Sequence, residues 1–210
     1  MTTRYVIGID EVGRGPLAGS LTVAAVAAPQ RSYTNGAIKK LLNDIKDSKK
    51  LSSKQREKWR KIILAEKSFF ASVVSVRSFV IDRIGMARAT RLAVSKCLWK
   101  LENKNASLSK DQIAHIFLDG SLYAPPSYLN QQTIIKGDEK IPLIAAASIV
   151  AKVHRDRAMQ RLAKKFPQYQ FHLHKGYGTA LHRSLIQKHG LSSIHRVTFC
   201  SRFMPLHDKL

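Results

Sequence analysis

Acidic residues are scarce in this 210-residue chain: 14 Asp and Glu stand against 36 Lys and Arg, a formal net charge of +22 with histidine neutral. Cysteine is scarcer still. Cys97 and Cys200 make neither a disulfide framework nor a Cys-x-x-Cys zinc pattern, and both lie among apolar neighbours, where buried thiols are common. The longest nearly unbroken apolar stretch, Pro142 to Ala151, is far short of the ~20 residues that span a bilayer, and Ser148 interrupts it. There is no Walker pattern, and no G-x-S-x-G segment to present a serine nucleophile. The N-terminus lacks the long apolar region of a signal peptide and soon meets Asp10 and Glu11, so a cytoplasmic location is expected. Repeats, low-complexity tracts and linkers are absent. With 44% apolar residues and a length that should bury roughly 70% of the unfolded surface, one domain over residues 1–210 is expected.

The positive excess is spread along the chain, with local clusters at Lys39 to Arg60 and Lys152 to Lys165. An anionic membrane would favour one concentrated amphipathic helix, and charge can also serve solubility alone. A dispersed basic face suits a phosphate backbone, which makes nucleic acid the leading partner class.

Short β-branched, apolar segments at 4–9 and 20–28 flank a Gly-rich loop and read as antiparallel strands. Ser52-Ser53-Lys54-Gln55 resembles a capping box opening a helix to about Ala65, after a helix-compatible stretch at 36–46. Phe69 to Val76 is β-rich, and helical spacing begins near Ser78 and runs from Ala87 to Leu101. Ile113 to Leu118 and Thr133 to Lys136 read as short strands, residues 142–165 as a helix, 167–180 as a loop and 181–189 as a helix. The order predicts an α/β fold: a central mixed sheet flanked by helices, with a helical C-terminal region.

The few carboxylates sit at strand ends: Asp10 and Glu11, Asp119, and Asp138. Individually, acidic residues beside glycine are ordinary turn formers. Converged, two carboxylates ~4 Å apart would repel by about 4 kcal/mol at an effective dielectric near 20. Protonation, basic partners or hard divalent cations could compensate, and an all-oxygen set favours magnesium or manganese over zinc. The chemistry such a cluster serves is two-metal phosphodiester hydrolysis. Gly13-Arg14-Gly15-Pro16-Leu17-Ala18-Gly19 is not a dinucleotide fingerprint. Its glycines permit either a tight strand connection or close backbone approach to a ligand such as a ribose hydroxyl. Ser48 and Lys49 could hold phosphate, Tyr177 between two glycines could stack on a sugar or base, and His195-Arg196 could contact a backbone or cap a helix. Each also has a bland reading: a solvated lysine loop for the first, a packed loop tyrosine for the second. His172 and His174 fit strand-like alternation better than a metal pair, and Asp156 fits an ion pair with Lys152 within the basic helix.

Ile9-Asp10-Glu11-Val12-Gly13-Arg14-Gly15-Pro16, Asp47-Ser48-Lys49-Lys50-Leu51-Ser52, Leu118-Asp119-Gly120, Lys136-Gly137-Asp138, Ala145 to Lys152 and His174-Lys175-Gly176-Tyr177 together resemble bacterial ribonuclease HII, in the family's order from residue 5 to about 200. The resemblance implies an endonuclease with an RNase H-like fold, and a monomer is expected. It would cut the RNA strand of RNA-DNA hybrids, and nick duplex DNA at single ribonucleotides, leaving 3′-hydroxyl and 5′-phosphate ends with Mg²⁺ or Mn²⁺. It also implies that Asp10, Glu11, Asp119 and Asp138 are the metal-binding catalytic carboxylates, with Glu139 the alternative fourth. Gly13, Arg14 and Gly15 would read the 2′-hydroxyl, Tyr177 would pack on the neighbouring deoxyribose, and Ser48 and Lys49 would hold phosphate. The chain departs from the family pattern at Ser121, Gly178 and Thr198. The sister family, ribonuclease HIII, usually carries an N-terminal substrate-binding domain, for which Asp10 stands too close to the start. The residues alone leave two other readings: a non-catalytic nucleic-acid-binding protein, and a DNA nuclease with the same carboxylates.

Overall fold

The computed structural model describes residues 2–43, 45 and 51–201; Ser48 and Lys49 lie outside the described residues. Five strands form one mixed sheet: β1 (Tyr5–Val12), β2 (Leu21–Pro29), β3 (Phe70–Val76), β4 (Ile113–Asp119) and β5 (Gln131–Ile134). Their order is β3-β2-β1-β4-β5. The first three pair antiparallel, whereas β4 runs parallel to both β1 and β5. Because β1 and β4 are parallel neighbours, their C-terminal ends, which carry the acidic residues, meet at one end of the sheet's central strands.

Helices cover both faces, so the central strands are apolar on both sides rather than alternating. On one face Tyr5, Ile7 and Ile9 pack with Ala93, Cys97 and Leu98 of α4 (Ser78–Lys104). On the other, Val6, Ala24 and Val26 pack against Ala146, Ile149 and Val150 of α6 (Pro142–Lys165), joined by α2 (Ala37–Asn43) and α3 (Ser53–Ala65). Gly8 decides how close α6 comes: a Cβ there would lie 2.3 Å from the Leu143 carbonyl carbon. The helix backbone rests directly on the strand.

Local signals in the sequence are visible in the structure. Ser52 and Gln55 form the reciprocal capping box that starts α3, and proline opens α6, whose last turn carries Lys164 and Lys165 against the helix dipole. Other expectations change. Before α2 lies a short helix α1 (Gln30–Asn35) that the sequence reading did not anticipate. The expected strand at Thr133 to Lys136 lies two residues earlier, as β5. Lys136 adopts a left-handed conformation with φ 54°, which ends the extended run and opens the one-turn helix α5 (Gly137–Lys140). Gly85, at φ 78°, breaks α4 into two helical segments. His172 and His174, expected to alternate as in a strand, lie instead on α7 (Phe171–His174). The C-terminal region is completed by α8 (Ala180–His189) and α9 (Val197–Cys200). Among the described residues no helix is long and apolar enough to cross a membrane.

Candidate active site

Ile9 pairs with Leu118, so Asp10 and Asp119 are the next residues along two parallel strands. Ligand atoms of Asp10, Glu11 and Asp119 all lie within 4.8 Å of one another. Asp10 turns toward α6, where Ser148 hydrogen-bonds its carboxylate; the Glu11 amide donates to Asp10 Oδ1 at 2.7 Å. Asp119 Oδ1 accepts from the Gly137 amide at 2.6 Å, which ties β4 to α5. Burial, then the neighbouring Glu11 and Asp119 charges, pushes the Asp10 carboxyl well above its usual range. Burial likewise raises Glu11, opposed by Arg14. Such a group of carboxylates is short of positive charge. Glu11 Oε2 is buried with no hydrogen-bond partner among the described residues, and that orphaned oxygen, with the all-oxygen donor set, fits a hard divalent cation.

Asp138 is not one of the three. It is buried at the start of α5 and lines a small adjoining cleft with Leu42, Ile45 and Pro142, while Glu139 is exposed. The Gly137 contact keeps this segment against Asp119, but the described geometry clusters three carboxylates rather than four.

The trio opens into a cleft of about 410 Å³ whose wall includes Gly13, Arg14, Gly15 and Tyr177, and also Arg56, Ser148 and Lys152. Arg14 reaches across its mouth, Nη1 donating to Glu11 Oε1 at 3.3 Å and to Ser121 Oγ at 2.8 Å. Gly13 has φ 93°, and a Cβ there would fall 2.4 Å from Arg155 Nε, so only glycine suits the position. Gly15 differs: a Cβ would meet nothing within 4 Å. Space beside Gly15 is open for a ligand. Tyr177 is 40% exposed, and the Arg155 guanidinium lies 5.6 Å from its ring centroid.

Three buried histidines stand behind Tyr177. The Tyr177 carbonyl can only accept, so His182 Nδ1, 2.9 Å away, carries its proton. His182 Nε2 is therefore the acceptor for His195 Nε2–H at 3.1 Å, and His195 Nδ1 accepts from the Ser192 amide at 2.9 Å. His174 donates from Nε2 to the Tyr169 carbonyl and accepts the Gly176 amide at Nδ1. Each ring is neutral with a defined tautomer, and burial pushes His182 and His195 down to about 4.

Sequence reasoning left out Ser148 and Arg56, took Lys152 only as a structural partner, and offered His195-Arg196 as a backbone contact or a cap. Lys152 does pair with Asp156 at 2.8 Å while still lining the cleft. His195 and Arg196 are buried, Arg196 fully, and are inside the protein rather than on a nucleic-acid-facing surface. Cys97 and Cys200 are buried and free, their thiols pushed up to about 11 by desolvation, so neither is an activated nucleophile.

Comparison with known proteins bears directly on this cleft. A family model described as ribonuclease HII matches residues 7–202. The ribonuclease HII of Caldicellulosiruptor bescii is 41% identical over 204 residues, covering 97% of this chain and 90% of the relative. That of Endomicrobium trichonymphae is 44% identical over 203 residues, covering 97% and 87%. Among solved structures, the Archaeoglobus fulgidus ribonuclease HII seen in complex with PCNA superimposes with a TM-score of 0.72 at 26% identity, covering 97% of this chain and all of that one. The sheet and its flanking helices are an RNase H-like fold, and with relatives this similar along nearly its whole length the chain belongs to the ribonuclease HII family.

Proposed function

We propose that this type-2 ribonuclease H, beyond cutting the RNA strand of RNA-DNA hybrids, nicks duplex DNA on the 5′ side of a single embedded ribonucleotide and leaves 3′-hydroxyl and 5′-phosphate ends. The observation that carries the reading is the placement of Asp10, Glu11 and Asp119 in one cleft with the Gly13–Gly15 turn and the half-exposed Tyr177. Asp10, Glu11 and Asp119 would hold the metal, with Asp138 the proposed fourth carboxylate from the adjoining helix. Two divalent cations, Mg²⁺ or Mn²⁺, would supply water activation and stabilisation of the leaving oxygen.

The chain's own groups do the rest. Ser148 and the Glu11 amide orient Asp10, and the Gly137 amide orients Asp119, so the ligand oxygens are fixed before substrate arrives. Arg56 and Lys152 place cations on the cleft wall, where a scissile phosphate would lie. Ser48 and Lys49 remain proposed phosphate contacts. The open space at Gly15 lets a sugar come against the backbone, and Tyr177 offers its ring to the next, deoxy, sugar.

The test is a duplex with one ribonucleotide, incubated with and without Mg²⁺ or Mn²⁺, beside the matching all-DNA duplex. A metal-dependent nick 5′ of the ribonucleotide is expected. No nick from folded protein would defeat the proposal, and equal cutting of both duplexes would make the enzyme a DNA nuclease.

A further inference from the structure

Arg155 and Arg196 are the two largest fully buried side chains, each 0% exposed. Among the described residues neither forms an ion pair. A buried cation without a carboxylate is costly, and desolvation is the leading influence on both guanidinium groups. Their hydrogen bonds go to the backbone carbonyls of a single turn. Arg196 Nη2 donates to Gly13 O at 2.6 Å and Gly19 O at 2.9 Å, Nη1 to Arg14 O at 2.7 Å, and Nε to Gly19 O at 3.1 Å. From the other side, Arg155 Nε donates to Ser20 O at 3.1 Å and Nη2 to Ala18 O at 3.2 Å, while its guanidinium faces the Tyr177 ring.

In a trans peptide the carbonyl and the following amide point in opposite directions. With the Gly13 and Arg14 carbonyls drawn inward by Arg196, the Arg14 and Gly15 N–H groups must point away from it. Neither amide has a hydrogen-bond partner among the described residues, and Gly15 borders open space.

We infer that Arg155 and Arg196 are positioning residues that lock the Gly13–Ser20 turn with its Arg14 and Gly15 amides facing outward, and so set the discrimination of a ribose 2′-oxygen from a bare deoxyribose carbon. The inference rests on the proposed ribonucleotide specificity and adds the internal device that creates it. Two positive charges buried behind the turn also polarise those amides toward an oxygen acceptor, a preorganisation that a solvent-exposed loop would lack.

The experiment compares wild type with Arg196→Lys and Arg155→Lys, each checked by thermal melting, for binding to a one-ribonucleotide duplex and to the identical all-DNA duplex, with Ca²⁺ in place of Mg²⁺. Lysine keeps the charge but cannot span several carbonyls at once. In Arg196→Lys the wild-type preference for the ribonucleotide should shrink by about fivefold or more. All-DNA affinity should change by less than about twofold, because phosphate contacts dominate it. Equal weakening of both duplexes, or a wild-type enzyme that nicks at the ribonucleotide yet binds both equally, would overturn the inference. Wild type that neither nicks nor prefers the ribonucleotide would defeat the functional reading instead. Should the lysine variants not fold, hydrogen exchange on wild type decides. Protection of the Arg14 and Gly15 amides by the ribonucleotide duplex but not by all-DNA supports the inference, and equal protection by both refutes it.

Discussion

Acidification should cost the fold stability through the buried histidine chain behind the Tyr177 loop, where a further proton is poorly accommodated. A proton on His182 Nε2 would face His195 Nε2–H, and one on His195 Nδ1 would face the Ser192 amide, leaving only the Ser192 hydroxyl, 2.8 Å away, to accept it. Both rings are essentially inaccessible, at 0% and 3% exposure, and desolvation is the main cause of their depression from 6.5 to about 4. Their folded affinity for protons is below the unfolded one, so the unfolded state gains protons first. Stability is therefore complete above the unfolded value, falls as pH drops through the window from 6.5 to about 4, and changes no further from this source below it. Each ring corresponds to about 3 kcal/mol at most across that window, with a slope up to about 1.4 kcal/mol per pH unit. Asp10 and Glu11 act in the opposite sense: their raised affinities make the metal-free fold gain stability as they protonate. The difference between proteins isolates the histidines. Urea unfolding of wild type and of His182→Gln/His195→Gln, from about pH 7 to about pH 4.5 in chelator, should show the wild type losing several kcal/mol more than the variant. Parallel curves for the two proteins would refute the lowered proton affinity of these two histidines.

Asp119→Asn should lower turnover by roughly a hundredfold or more while leaving duplex affinity nearly intact, since a ligand charge is lost but the basic surface is not; wild-type turnover would remove Asp119 from the chemistry. Gly15→Ala should leave stability within about 0.5 kcal/mol of wild type yet depress cleavage, because the methyl group meets nothing in the free protein and intrudes where a sugar would lie. Gly13→Ala, at φ 93° and against Arg155, should instead cost about 2 kcal/mol or more in urea unfolding. Tyr177→Phe should retain more activity than Tyr177→Ala if the ring face is the contact, and comparable losses measured as kcat/KM would point to the hydroxyl.

What could be read from the chain was whatever depends on local pattern. The strand ends at Asp10, Glu11 and Asp119 follow apolar runs that stop at charged or glycine residues, and α6 announces itself by length, an opening proline and a basic end. Parallel pairing of β1 with β4, which brings the carboxylates together, is non-local; the resemblance implied a shared site for the carboxylates, but the pairing that builds it is seen only in the structure. Arg155 and Arg196 were illegible for a different reason. In a chain with 36 basic residues a guanidinium beside other cations looks solvated, and only tertiary structure shows these two turned inward onto carbonyls. Asp138 shows the limit from the other side, since its distance from the trio depends on where Lys136 bends the chain.

The absence of a side chain at Gly8 governs more than packing. Helix α6 touches β1 there through Leu143, then offers Ser148 to Asp10, Lys152 to the cleft, Arg155 to the Gly13 turn and Met159 to Gly19, a span of about 24 Å along one rigid rod. A methyl group at position 8 cannot be accommodated unless this helix backbone moves, and the helix that moves is the one carrying those contacts. An allele altered at Gly8 would thus look in a genetic screen like a lesion of the catalytic centre, although every carboxylate would still be present in its sequence.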